Sequence, residues 1–356
     1  MANEKTRNSS IELLRILAII GVIFLHYIDE PGGVLQRISS GTINYYFVVL
    51  INSLSCCAVD LFVFISGWYL SRNTTVSTRK VIQLLFQVIL FQTAVNIIRM
   101  AGTGSFSLLS LFRNFIPMNW FVSIYVAMYC LSPYINEFIK SINYKQYKSM
   151  MIIVTILFIL QPTLVEVLEG ISGSALMGAS TIGIQGAQWG YTIVTFIYIY
   201  LLAGFCRLKE TEIENKKVLI VWIGCLISLF VWKLVELWLG RSISAEHYQN
   251  PVVIMSAVTL FYIFNRMTFH NKVINAVSKG CFTVYIMHAS LIQILFIDLK
   301  TINGSIVSFA LGLFIRVVVI FIICTIVGLF YTKVEKIVFD FIEHRLGFYT
   351  ISSLKN

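Results

Sequence analysis

Apolar residues run along the chain in long blocks separated by short polar stretches. A helix needs about 20 mostly apolar residues to cross the hydrocarbon core of a bilayer. By that rule the pattern predicts helices near 11–29, 44–70, 81–101, 119–139, 149–168, 188–206, 218–239, 251–268, 275–297 and 305–331. The second, from Asn44 to Leu70, is long enough to be tilted or broken. After Tyr331 the sequence KVEKIVFDFIEHRL places apolar residues at helical spacing between charges, the pattern of an amphipathic helix on a membrane surface. The expected architecture is all-α: a polytopic membrane domain of about ten transmembrane helices over residues 1–331 and an amphipathic tail over 332–356.

Composition sharpens this picture. Of 356 residues 58% are hydrophobic and 12% charged, about half the charge that a soluble domain carries to cover its surface. The first apolar run contains Glu12 and Arg15 and has no small-residue cleavage site after it, so it is expected to be a span and not a signal peptide. Lysine and arginine set the orientation, because cytoplasmic loops are enriched in them. With the N-terminus inside, the outer loops hold only Arg37, Arg113, Arg241 and Lys300, and every inner segment carries a cluster. Both termini are thus expected in the cytoplasm. The net charge of +10 follows from topology, which argues against nucleic acid as a partner. The seven cysteines lie in apolar runs without metal-ligand spacing, so packing is expected of each and no metal is expected.

Ionisable groups inside spans are costly and mark candidate sites. In IELLRILAIIGVIFLHYID, Arg15 and His26 are eleven residues apart, which is three turns plus about 20° and roughly 16 Å along one helix face. Glu12, one turn before Arg15, and Asp29, one turn after His26, fall on the same stripe. A stripe of that kind needs a polar cavity or buried partners; the plainer reading is a snorkelling Arg15 and a packed His26. Asp60 stands deep in the second run and needs a cation or several donors, which Arg15 or His26 would supply, or else a helix–helix ion pair. Ser66 and Gly67 follow it, a pair that commonly lets helices pack closely, and nothing local makes Ser66 a nucleophile. Arg72, Arg79 and Lys80 cluster at the inner end of that run, where topology alone puts positive charge and where a phosphorylated cytosolic ligand would also bind. Trp120 reads as an interface anchor or a site residue, and His288 as a packed or functional histidine.

These segments together resemble the acyltransferase family 3 membrane proteins. Glu12, Arg15 and His26 fit the family's acidic–Arg–His spacing, with Glu12 where Asp is more usual. DLFVFISGWYL (Asp60 to Leu70) is similar to its apolar run ending in Ser-Gly, WFVSIYVAMYCLSP (Trp120 to Pro133) to its Trp-Phe…Tyr…Leu-x-Pro segment, and VYIMH (Val284 to His288) to its Tyr-x-x-His. The matches come in the family's order and span most of the chain. The basic stretch departs from the family's pair of arginines spaced three apart, since Lys80 is followed by Gln83.

The resemblance implies a membrane O-acyltransferase, acting by O-acetylation or a related transfer. It would move an acyl group from cytosolic acyl-CoA, acetyl-CoA first among the donors, to a hydroxyl of a polysaccharide or lipid-linked sugar of the cell envelope. In that reading His26 is the general base or a transient acyl carrier, helped by Arg15 and Glu12. Arg72, Arg79 and Lys80 would hold donor phosphates, with Asp60, Ser66, Trp120 and His288 lining the substrate path and the acceptor arriving near the loop from Gly170 to Gly186. The resemblance also places the chain in a bacterial cytoplasmic membrane among membrane lipid, with room for a homo-oligomer or a separate extracytoplasmic partner that completes transfer. The competing class is a transporter or flippase of a lipid-linked glycan or small solute, whose halves commonly repeat; no such repeat is visible here.

Overall fold

A computed structural model describes residues 8–30, 32–184, 186–208, 214–346 and 350–352, with side chains described up to residue 342. It is 78% helical. The helices are α1 (Ser9–Asp29), α2 (Val34–Arg37), α3 (Ile43–Ser55), α4 (Ala58–Leu70), α5 (Thr78–Thr103), α6 (Leu108–Arg113), α7 (Trp120–Ser141), α8 (Tyr144–Thr155), α9 (Gln161–Ser172), α10 (Ile193–Leu208), α11 (Asn215–Leu239), α12 (Pro251–Asn265), α13 (Lys272–Val277), α14 (Cys281–Ile294), α15 (Leu299–Ile302) and α16 (Ile306–Leu346). Each of the ten stretches expected to be helical is occupied by one or two of them.

Among the described residues, six stretches are long and apolar enough to cross a membrane: 9–37, 43–70, 78–103, 144–172, 215–239 and 306–342. Their burial separates centre from rim. In the most apolar part of 43–70, 78% of residues are buried, and in 9–37, 67%; in α5 the share is 17% and in α11 22%. Helices apolar all round that remain uncovered by protein match a lipid surrounding, whereas α1 and α4 form the core. α1 packs on α3, α4, α12 and α14, and α4 on α10 and α12.

Local chemistry explains the breaks. The run from Asn44 to Leu70 divides at Cys56 and Cys57 into α3 and α4, the break its length allowed. Asn8 caps α1 by accepting from Ser10 N at 3.1 Å, and Asn119 caps α7 by accepting from Val122 N at 3.0 Å. Between α8 and α9 the backbone widens into a π-turn over Ile156–Leu160 just before Pro162, where proline has no N–H to continue the ladder. Gly240 ends α11 with φ +64°, the left-handed stop that glycine permits. Gly67 lets α4 approach α10: a Cβ there would stand 2.9 Å from Tyr200 Cα and Ala203 Cβ. The Ser-Gly pair thus packs helices closely, as its sequence implies.

The tail differs from expectation. α16 continues without interruption through Tyr331 to Leu346, and Phe339 is buried against Phe86 of α5 with ring centroids 5.9 Å apart. The residues expected to lie separately on the surface instead extend the last helix, up to the limit of the described segment. Two short strands, β1 (Thr75–Ser77) and β2 (Thr350–Ser352), then pair antiparallel, with Val76 opposite Ile351. The remaining tail residues, 347–349 and 353–356, lie outside the described residues.

Candidate functional site

The site is built around α1. Glu12 is buried, and its carboxylate receives Arg15 Nη1 at 3.2 Å, one turn later. Three turns on, His26 donates from Nδ1 to Val22 O at 2.9 Å, which leaves Nε2 as the basic nitrogen of the neutral ring. That Nε2 lies 3.5 Å from Glu30 Oε1. The ring of His288, on α14, meets His26 edge-on with centroids 4.6 Å apart. His288 likewise commits Nδ1 to a carbonyl, Val284 O at 3.0 Å, and its buried Nε2 has no hydrogen-bond partner among the described residues.

Two of the cavities beside this pair approach it from opposite ends of α1, and a third, about 280 Å³, also touches His26 on the side of Tyr27 and Arg37. The first, about 210 Å³, begins at Arg15, Lys80 and Lys279 and runs past Ser66, Phe121 and Tyr125. The second, about 560 Å³, contains His26, Asp29 and Glu30 and is walled by Trp120, Trp189, Tyr191 and Tyr248. Val22, Val59 and Tyr285 line both cavities. The boundary between them is therefore apolar except for one tyrosine, and it sits one helical turn from His26.

The two ends differ in charge and surface. At the first, Arg15, Lys80 and Lys279 supply three cations. At the second, Trp120 stacks on Tyr191, with centroids 4.2 Å apart and planes at 21°, and faces Tyr248 at 5.8 Å and 20°. Beneath them Lys233 is buried among three carboxylates: Glu246 at 2.6 Å, Glu236 at 3.1 Å and Asp29 at 3.5 Å. Asn52 Nδ2 donates to Glu246 at 2.6 Å and to Asp29 at 3.2 Å. Burial pushes the Glu246 carboxyl well above its usual range, while the Lys233 ammonium pulls it the other way. One cation among three acids leaves this end net negative.

The candidates from the sequence divide accordingly. Glu12 pairs with Arg15 near one end of α1, and His26 meets His288 of α14 three turns on; Arg15 and His26 line different cavities. Lys80 and Ser66 line the Arg15 cavity, where Ser66 Oγ lies 3.2 Å from Tyr125 OH, and Trp120 lines the other. The basic trio separates. Arg79 pairs with Asp340 of α16 at 2.6 Å, and Arg72 lines a different small cavity with Arg207, so of the three only Lys80 lines the Arg15 cavity. Asp60 is buried, and both its oxygens lack a hydrogen-bond partner among the described residues; neither Arg15 nor His26 reaches it. Lys279, Lys233, Glu246 and Tyr248 were not singled out in the sequence. Lys279 was readable only as inner-loop charge, and Lys233 only as a residue at a helix end.

With the geometry established, comparison with known proteins decides the family. A family model described as an acyltransferase domain matches residues 8–327, nearly the whole chain. The chain belongs to acyltransferase family 3. No curated protein and no solved structure matches it significantly. Apolar spans and family together make this a multi-pass membrane protein of an acyltransferase family.

Proposed function

We propose that this acyltransferase family member spans the membrane ten times with both termini in the cytoplasm, in a bacterial cytoplasmic membrane. It transfers an acyl group, acetyl first, from cytosolic acyl-CoA to a hydroxyl of a glycan or lipid-linked sugar. The observation that carries this reading is the pair of opposed cavities that share Val22, Val59 and Tyr285 beside His26.

The cationic cavity suits the donor. Arg15, Lys80 and Lys279 supply charge-assisted donors for the phosphates of a coenzyme, and the cavity lining beyond them, with Phe121 and Tyr125, suits a thin pantetheine arm. The aromatic cavity suits a sugar, whose C–H faces pack on rings while hydroxyls reach carboxylates. At the junction the acceptor oxygen attacks the thioester carbonyl, His26 Nε2 takes its proton, and the CoA thiolate leaves and is reprotonated. Glu12 holds Arg15 at the donor end, and His288 fixes the plane of His26. Positioned base catalysis contributes roughly 10²–10⁴-fold.

The test is turnover of radiolabelled acetyl-CoA by protein in lipid. His26→Ala is expected to lower it by at least ~100-fold with abundance unchanged. Undiminished turnover in that variant would refute the role of His26, and no use or binding of acetyl-CoA by the wild type would remove the donor.

A further inference from the structure

Outside the path just described, a third constellation faces the aromatic cavity. Residues 240–250, between α11 and α12, fold back onto α9. The approach is close: a Cβ on Gly170 of α9 would stand 2.1 Å from Ser242 O, so only glycine fits there. Glu166, one turn earlier, is the anchor. Its Oε1 accepts from Ala187 N at 2.9 Å. Its Oε2 accepts from Ser244 Oγ at 2.5 Å, from His247 Nδ1 at 2.6 Å and from Gln249 Nε2.

This arrangement fixes the chemistry of His247. With Nδ1–H given to a carboxylate, Nε2 is the free base, and it lies 3.2 Å from Ser242 Oγ. Glu166 and His247 side chains are 10% and 12% exposed, whereas Ser242 is open. Ser242 and His247 both line the cavity that contains His26. Glu236 Oε2 offers Ser242 a second acceptor at 3.4 Å, the longer of the two. Ser244 holds a left-handed φ of +63°, and its N–H donates toward Ser242 Oγ at 3.5 Å, which leaves the hydroxyl proton to point toward His247. Non-glycine residues in that region of backbone are costly and gather at functional sites. A carboxylate that orients an imidazole whose other nitrogen meets an accessible hydroxyl is the arrangement of an activated serine nucleophile.

We propose that Ser242, His247 and Glu166 form a second acyl-transfer centre, which acts on O-acyl esters entering the aromatic cavity. Ser242 Oγ attacks the ester carbonyl while His247 Nε2 takes its proton. The C–O bond to the alcohol breaks, and the alkoxide leaves with the proton from His247, which gives acyl-Ser242 and free alcohol. Water or another hydroxyl then attacks acyl-Ser242. His247 takes the proton and returns it to Ser242, and a carboxylic acid or a new ester departs. One cavity would thus hold a centre that places acyl groups on hydroxyls and a centre that removes or relocates them. This step uses no acyl-CoA, so it stands or falls separately from the donor reading.

The test uses the full chain in lipid with a fluorophosphonate probe and p-nitrophenyl acetate. The expected result is a probe adduct mapped by mass spectrometry to Ser242, and ester hydrolysis at least ~100-fold slower in Ser242→Ala. His247→Gln should lose the adduct, and His26→Ala should keep it. Wild-type protein without an adduct on Ser242 would overturn the proposal, as would Ser242→Ala hydrolysing the ester at the wild-type rate. Adduct mapping needs no substitution, so it decides the matter even where a variant folds poorly.

Discussion

His26 and His288 have the same local design: each donates Nδ1–H to the carbonyl four residues earlier, and the two rings meet edge to face. Such a bond selects the tautomer before substrate arrives, so a base need not reorganise when the reaction begins. His288→Ala leaves His26 without its packed neighbour and is expected to lower acyl transfer by about tenfold, less than His26→Ala does; kcat should fall more than KM rises. Among the cations, Lys80 and Lys279 line the cavity with Arg15 and Arg79 faces Asp340. Lys80→Ala and Lys279→Ala should each raise KM for acyl-CoA by about tenfold, the worth of one charged hydrogen bond. Arg79→Ala should leave it within about twofold. A steady-state comparison of the three variants checks this, and a larger KM effect from Arg79 would place the phosphates elsewhere.

At the scale of the element, the core helices owe their arrangement to small residues and buried charge. Gly67 sits where α4 and α10 nearly touch, and Gly67→Leu should destabilise the protein by about 1–3 kcal/mol through overpacking, read as a lowered thermal midpoint in lipid. Lys233 holds Asp29, Glu236 and Glu246 together. Lys233→Met leaves those acids uncompensated, with an expected cost of about 3–5 kcal/mol; unchanged thermal stability would mean that the cluster is solvated and weak. Legibility follows the same division. The positions of the ten helical stretches were readable because the apolar runs are long. The α1 stripe was readable because helical spacing alone brings Glu12, Arg15 and His26 to one face. The Lys233 cluster, the separation of Arg79 from Lys80, and the Glu166–His247 pairing were not readable. Each depends on which distant helix lies opposite, and Glu166 and His247 are 81 residues apart. The same is true of Asp60, whose expected cation lies elsewhere.

For the whole molecule, α1 and α4 stand at the centre while α5, α11 and much of α16 turn apolar sides outward. That layout places a cationic opening at the Ser9 end of α1 and an acidic, aromatic opening at the Asp29 end. In the proposed ten-span topology the first of these openings faces the cytoplasm. In a variant with the seven native cysteines replaced, a cysteine at Ser174 should react with an impermeant thiol reagent added outside cells, and one at Ser141 should not. The reverse pattern would invert the topology and move the donor to the wrong side. In the proposed mechanism donor and acceptor meet across the Val22–Val59–Tyr285 boundary. An experimental structure of the protein in lipid with acetyl-CoA tests it most directly. Phosphates are expected at Arg15, Lys80 and Lys279 and the thioester at that boundary, within reach of His26 Nε2. Coenzyme seated instead beside Arg72 and Arg207, or entering among the aromatic rings, would contradict it.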